Sequence, residues 1–234
     1  MIRGKQAKLF RKTHRYLGLI LGLQFLLWTC SGLYFSWTNI DEIHGDHFRN
    51  PDHKAPFHTD LFPLAALATK TGIQQVAIRD IGGTPHYWIN NTQLFNARTG
   101  AIKTGITEAE ALDIAAKNMH PDLLVRDIVR ITETDAHHEY RERPLPAYLI
   151  RYEHEEGIHA YVSEADGRFQ TIRHRNWRLF DFLWMTHTMD YQGRDDINNW
   201  LLRLFSLFGL LTVLSGFTLW FISSPRIRKL FRNK

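Results

Sequence analysis

Residues 17–37 read LGLILGLQFLLWTCSGLYFSW, and residues 200–222 read WLLRLFSLFGLLTVLSGFTLWFI. Each run is about 20 residues long, the length at which a helix crosses the ~30 Å hydrocarbon layer of a bilayer. Neither contains Asp, Glu or Lys. The first carries no charge, and the second carries only Arg203, close enough to its start for the stem to reach back to the interface. Two membrane-spanning helices are expected. Averages of 44% apolar and 13% aromatic residues over 234 positions would instead suggest one soluble domain of ordinary size.

Charge then orients the chain. Residues 1–16 hold Arg3, Lys5, Lys8, Arg11, Lys12 and Arg15 and no acid, and residues 223–234 hold Arg226, Arg228, Lys229, Arg232 and Lys234 and no acid. The two tails thus carry +11 while the whole chain carries +5, so the remainder carries −6. Short basic flanks stay in the cytoplasm, whereas long loops translocate largely regardless of charge. Both termini are expected in the cytoplasm of a bacterial-type cell, with residues 38–199 in the periplasm. The basic residues sit where anionic headgroups are, which argues against nucleic acid as a partner and for the lipid bilayer.

The basic start followed by an apolar run also resembles a signal peptide, but its exit, Tyr34-Phe35-Ser36-Trp37, is too bulky for a cleavage site and suits an interfacial aromatic belt. Cys30 is the only cysteine, so disulfides, thiolate zinc sites and iron–sulfur clusters within one chain are excluded.

Between the spans the pattern changes period twice in the same order. Leu61–Thr69 reads as a short helix, and Gln75–Asp80, His86–Asn90 and Gln93–Asn96 alternate like strands around a Gly82-Gly83 turn, closing at Thr99-Gly100. In the second pass Thr107–Asn118 opens with a capping box, Thr107 and Glu110, and strands are expected at Leu123–Thr132, Ala147–Glu153, Ile158–Ser163 and Phe169–Arg173. Tyr87-Trp88-Ile89 matches Tyr148-Leu149-Ile150, and Leu94–Gly100 resembles Ala160–Ser163 leading to Asp166-Gly167, a degenerate internal repeat. Residues 176–190 place Trp177, Phe180, Leu183, Trp184 and His187 at helical steps, as in an amphipathic interfacial helix.

A helix, a strand and a hairpin ending in a Tyr-x-Val-type strand and an Asp/Thr-Gly turn resembles the PepSY domain. The entry His14-Arg15-Tyr16-Leu17-Gly18, the later Thr29-Cys30-Ser31-Gly32-Leu33, His187, and Leu214-Ser215-Gly216-Phe217 with Trp220 resemble the PepSY-associated transmembrane family over nearly the whole chain. The resemblance implies an α+β fold: PepSY-like units at about 60–104 and 105–175, an interfacial helix at 176–190, spans at 17–37 and 200–222, and basic tails at 1–16 and 223–234. It also implies work in iron acquisition, as a haem-binding component that reduces ferric or ferric-siderophore iron or assists a reductase. Ferric-siderophore reductases of the family typically have four membrane helices and this chain has two, so a complete core would need a homodimer or a membrane partner protein. The alternative is a non-enzymatic, membrane-tethered PepSY module that regulates or chaperones a periplasmic or transporter partner.

Candidate residues follow. Gly18, Gly22, Gly32, Gly209 and Gly216 suit close helix packing, and the same small-residue stripes leave a slot for a flat porphyrin. His14 is then a candidate axial ligand of haem b at the cytoplasmic edge and His187 at the outer edge, with His44, His47 or a histidine from another subunit as a partner for His187. The two edges are roughly 30 Å apart, so His14 and His187 belong to different haems. Asp41, His44 and His47 offer two imidazoles and a carboxylate for a hard or borderline metal. Gln24 is expected to hydrogen-bond a neighbouring helix. His154-Glu155-Glu156-Gly157-Ile158-His159 fails the zinc-protease spacing and reads as a hairpin turn. No Ser/His/Asp pattern, phosphate loop or dinucleotide fingerprint appears, so no catalytic residue is named and any reductase would draw its electrons from elsewhere.

Overall fold

The computed structural model describes residues 4–69 and 71–224, so the C-terminal basic residues Arg226, Arg228, Lys229, Arg232 and Lys234, like Arg3, lie outside the described residues. The chain divides into two units, residues 1–38 with 181–234, and residues 39–180.

The first, membrane unit is built on α1 (Gly4–Trp37) and α6 (Trp200–Ser223). Their apolar spans are Arg11–Trp37 and Trp200–Phe221. Helix α1 has 34 residues, about 51 Å at 1.5 Å per residue, so the basic start expected as a tail continues the spanning helix. The two helices run antiparallel, with Phe25 against Gly209 and His14 against Gly216. The covered stripe of α1 is His14, Leu17, Leu21, Gln24, Trp28, Ser31 and Phe35, alternating steps of three and four that keep one face inward. Leu19, Ile20, Leu23 and Leu26 are exposed and meet lipid. Polar side chains in a span normally avoid lipid, and Gln24 and Ser31 are 7% and 1% exposed.

Helix α5 (Arg175–Thr188) ends in this unit, and its last turn has orphan carbonyls. Gln24 Nε2 donates to Thr186 O at 3.0 Å, and Asn199 Nδ2 donates to Thr188 O at 2.9 Å. Asn199 also caps α6 through the Leu202 N–H. Gln24 therefore meets the end of an adjoining helix rather than the other span.

The second, sheet unit opens with α2 (Ile40–His44) and a 3-10 turn at Asp46–Phe48, neither of which the sequence patterns announced. It then runs twice through a short helix and a four-stranded antiparallel meander: α3 (Leu64–Ala68) with β1 (Val76–Ile81), β2 (Thr84–Ile89), β3 (Gln93–Asn96) and β4 (Ile102–Lys103), then α4 (Glu108–Asn118) with β5 (Val125–Ile131), β6 (Ala147–Tyr152), β7 (His159–Ser163) and β8 (Phe169–Arg173). The repeated triplets fall on β2 and β6, the matching middle strands. Their period of two sends alternate residues to opposite faces. Trp88, Tyr148 and Ile150 join the main core around Ile114 and Ala115 of α4, Tyr87 and Ile89 pack with Leu67 of α3, and Leu149 packs with Tyr140 and Tyr161. The capping box closes as the sequence requires, with Thr107 N donating to Glu110 Oε2 at 2.7 Å and Glu110 N to Thr107 Oγ1 at 3.3 Å.

The long β5–β6 connection brings Glu139 against the second sheet. Its carboxylate accepts hydrogen bonds from His159 Nδ1, from Tyr161 Oη at 2.7 Å and from Arg178 Nε at 2.7 Å. Burial by itself raises the Glu139 pKa, but the hydrogen bonds from His159, Arg178 and Tyr161 outweigh it and hold it at about 2.

Candidate functional site

Two histidines of the membrane unit are clasped in the same way. His14 Nδ1 lies 2.7 Å from Ser215 Oγ, and that hydroxyl donates its own proton to Thr212 O at 2.7 Å. With its proton committed, Ser215 Oγ accepts from Nδ1–H, so a neutral His14 carries its lone pair on Nε2. The next residue, Gly216, gives the ring its space: a Cβ there would stand 3.3 Å from His14 Cε1.

His187, one residue before the end of α5, repeats the arrangement on α1. Its Nδ1 lies 2.7 Å from Ser31 Oγ, and Ser31 Oγ donates to Leu27 O at 2.7 Å. Nδ1–H is again the donor and Nε2 holds the lone pair. A Cβ on Gly32 would lie 4.0 Å from His187 Cε1. Trp28 and Phe35 flank the imidazole, with ring centroids at 6.3 and 5.6 Å, and Trp28 Nε1 is buried with no hydrogen-bond partner among the described residues. Each clasp therefore joins a Ser-Gly pair on a span to a histidine from another helix. Neither Nε2 bonds any described residue. Along α1 the clasps are 17 positions apart, His14 to Ser31, or about 25 Å.

The other sequence candidates scatter. Gly209 is filled by Phe25, whose Cζ would lie 3.0 Å from a Cβ there, whereas Gly18 and Gly22 have nothing within 4 Å among the described residues. In the sheet unit, Asp41 and His44 are exposed on α2, and Asp41 spends its backbone N–H on the Asn39 cap. His47 groups instead with Glu156 and His174, their ligating atoms all within 4.8 Å of one another; Asp41 and His44 are not in that group. The three residues come from a 3-10 turn, the β6–β7 turn and the position just after β8, so no local spacing could have announced them. Serines 31 and 215 were visible only as parts of Ser-Gly motifs, because their partners lie 156 and 201 positions away.

This arrangement, two spans enclosing a helix-plus-meander repeat, agrees with what comparison with known proteins shows. No curated protein and no solved structure matches the chain. The model of the PepSY-associated TM region matches residues 1–223, all but the last eleven positions, and the protein is therefore a member of the PepSY-associated transmembrane family.

Proposed function

We propose that this protein is a haem-binding component of bacterial iron acquisition, set in the inner membrane with residues 38–199 on the periplasmic side, which reduces ferric or ferric-siderophore iron or serves a reductase that does. The carrying observation is the pair of clasps: two imidazoles oriented through Nδ1 with the lone pair left on Nε2, the form in which an imidazole would hold haem iron. The surroundings fit a porphyrin as well. Glycine adjoins each ring, Trp28 and Phe35 flank that of His187, and Trp28 Nε1, buried beside it, has no hydrogen-bond partner among the described residues.

A bound haem would supply one-electron transfer, so that each electron from a reduced donor takes one Fe³⁺ to Fe²⁺. The chain's own part is to hold and orient. Ser215 and Ser31 accept hydrogen bonds from the Nδ1–H groups, which fixes each ring and its tautomer. Each clasp supplies one nitrogen, and a second ligand would come from another chain. The open Gly18-x-x-x-Gly22 face of α1 suits the close approach of such a chain.

The visible absorption spectrum of protein expressed with ample haem tests the reading. A low-spin b-type spectrum is expected, diminished by His14→Ala or His187→Ala and abolished by the double substitution. A colourless wild-type protein defeats it and favours the second reading, a membrane-tethered PepSY module acting on a periplasmic or transporter partner, which two spans instead of four already suit.

A further inference from the structure

The His47, Glu156 and His174 cluster lies wholly within the sheet unit and is used by neither reading above. His174 is fully buried just after β8. Its Nε2 faces two backbone carbonyls, Glu42 O at 3.0 Å and Ile43 O at 3.2 Å. Carbonyls only accept, so Nε2 carries the proton and donates it. Nδ1 points the other way, 3.2 Å from Glu156 Oε2. This is how proteins prepare a metal-binding histidine: one ring nitrogen donates to backbone and fixes the tautomer, and the other is presented outward.

The spacing agrees. Around an ion held at about 2.0–2.1 Å in tetrahedral geometry, neighbouring ligand atoms stand roughly 3.3 Å apart, and His174 Nδ1 and Glu156 Oε2 are already at that separation. His47 is exposed, its ring centroid 5.5 Å from that of His174, and its ligating atom is within 4.8 Å of the other two. A side-chain rotation covers the remaining gap. Gly45 makes the approach possible: at φ +80°, a Cβ there would fall 2.8 Å from Ile172 Cγ2, so only glycine lets the α2 turn settle on β8 and carry the Glu42 and Ile43 carbonyls to His174. The neighbouring His154 is otherwise engaged, its Nδ1 accepting the Glu156 N–H at 3.2 Å.

We infer that His47, Glu156 and His174 form a binding site for a borderline divalent cation of the zinc or ferrous-iron type, with a fourth position open to water on the exposed His47 side. Two imidazole nitrogens and one carboxylate select such ions over magnesium or calcium, which prefer all-oxygen shells. The site rests on no part of the haem reading.

Tag-free full-length protein in detergent, stripped with a chelator, is titrated calorimetrically with Zn²⁺ near neutral pH. One equivalent is expected to bind. The Kd should rise at least about tenfold in both His47→Ala and Glu156→Gln, stay unchanged in His53→Ala, and be indifferent to excess Mg²⁺. Both informative substitutions lie outside the core, and circular dichroism like that of the wild type verifies their fold. Absence of stoichiometric binding overturns the site, as does wild-type affinity in either ligand variant. Displacement of Zn²⁺ by Mg²⁺ overturns the cation class.

Discussion

Glu139 in the sheet unit and the two clasped histidines in the membrane unit solve opposite problems with the same hydrogen-bond chemistry. Glu139 is surrounded until nothing is left over: both carboxylate oxygens are engaged by His159, Tyr161 and Arg178, and Arg173 Nε takes its backbone carbonyl at 2.9 Å. His14 and His187 are each held by one hydroxyl, with one ring nitrogen unspent. A buried polar group with every valence answered acts as structure, because disturbing it strands its partners. One that is fixed on one side and free on the other still has a nitrogen with which to take a further partner.

The sharpest way to break this contrast is Glu139→Ala. It leaves Arg178 and Tyr161 without their acceptor, and such removals cost about 3 kcal/mol or more. The sheet unit's melting temperature should fall by roughly 6–12 °C, read by circular dichroism of the full chain in detergent. A change below about 2 °C would make the network ornamental and erase the difference between the units.

Acid offers the same test without a mutation. Because the folded pKa of Glu139 is depressed to about 2 from 4.5, its contribution is complete above the higher value and is lost as pH falls through the lower. The linkage is worth about 3 kcal/mol. Stability of the sheet unit should decline from about pH 5 down to about pH 2 in the wild type and decline less in Glu139→Gln, where no ionisation remains at that position.

Next in size comes a pair of glycines. Gly216→Leu drives new carbons into His14, where even a Cβ stands at 3.3 Å, and should cost about 1–3 kcal/mol of α1–α6 association in SDS titrations of detergent-solubilised protein. Gly18→Leu with Gly22→Leu should leave the single chain's stability unchanged, since nothing described lies within 4 Å, and act only on self-association or partner binding. Equal effects of the two substitutions would mean that the helix faces are assigned wrongly.

How much of this could be read in the sequence depended on range. The spans, β3 at Gln93–Asn96, β8 at Phe169–Arg173 and the Thr107 capping box follow from local periodicity or spacing, and the structure has them at those positions. Helix α2 and the 3-10 turn are shorter than any period can register. On α1 the sequence stripe through Gly18, Gly22 and Thr29 runs beside the covered face, which passes through Leu21, Gln24, Trp28 and Ser31. Small residues mark where a helix can approach, whereas the burial of Gln24 and Ser31 depends on α5, whose packing no pattern within α1 encodes. The Ser31–His187 and Ser215–His14 pairings and the His47, Glu156 and His174 cluster are tertiary facts, visible only once distant segments meet.

The smallest expected effect bears most directly on the clasps. Ser31→Ala and Ser215→Ala each remove one hydroxyl, and each hydroxyl also bonds its own helix, so the raw loss mixes two interactions. A double-mutant cycle separates them: pairing Ser31→Ala with His187→Ala, and Ser215→Ala with His14→Ala, isolates the serine–histidine term. A coupling of about 0.5–1.5 kcal/mol is expected in each cycle, near the range found for hydrogen bonds between membrane helices. The two values should agree, because donor, acceptor, distance and adjoining glycine are the same. A coupling of zero in one cycle means that its imidazole is not held through Nδ1, and the lone pair on Nε2 loses its structural warrant at that level of the membrane while the other clasp stands.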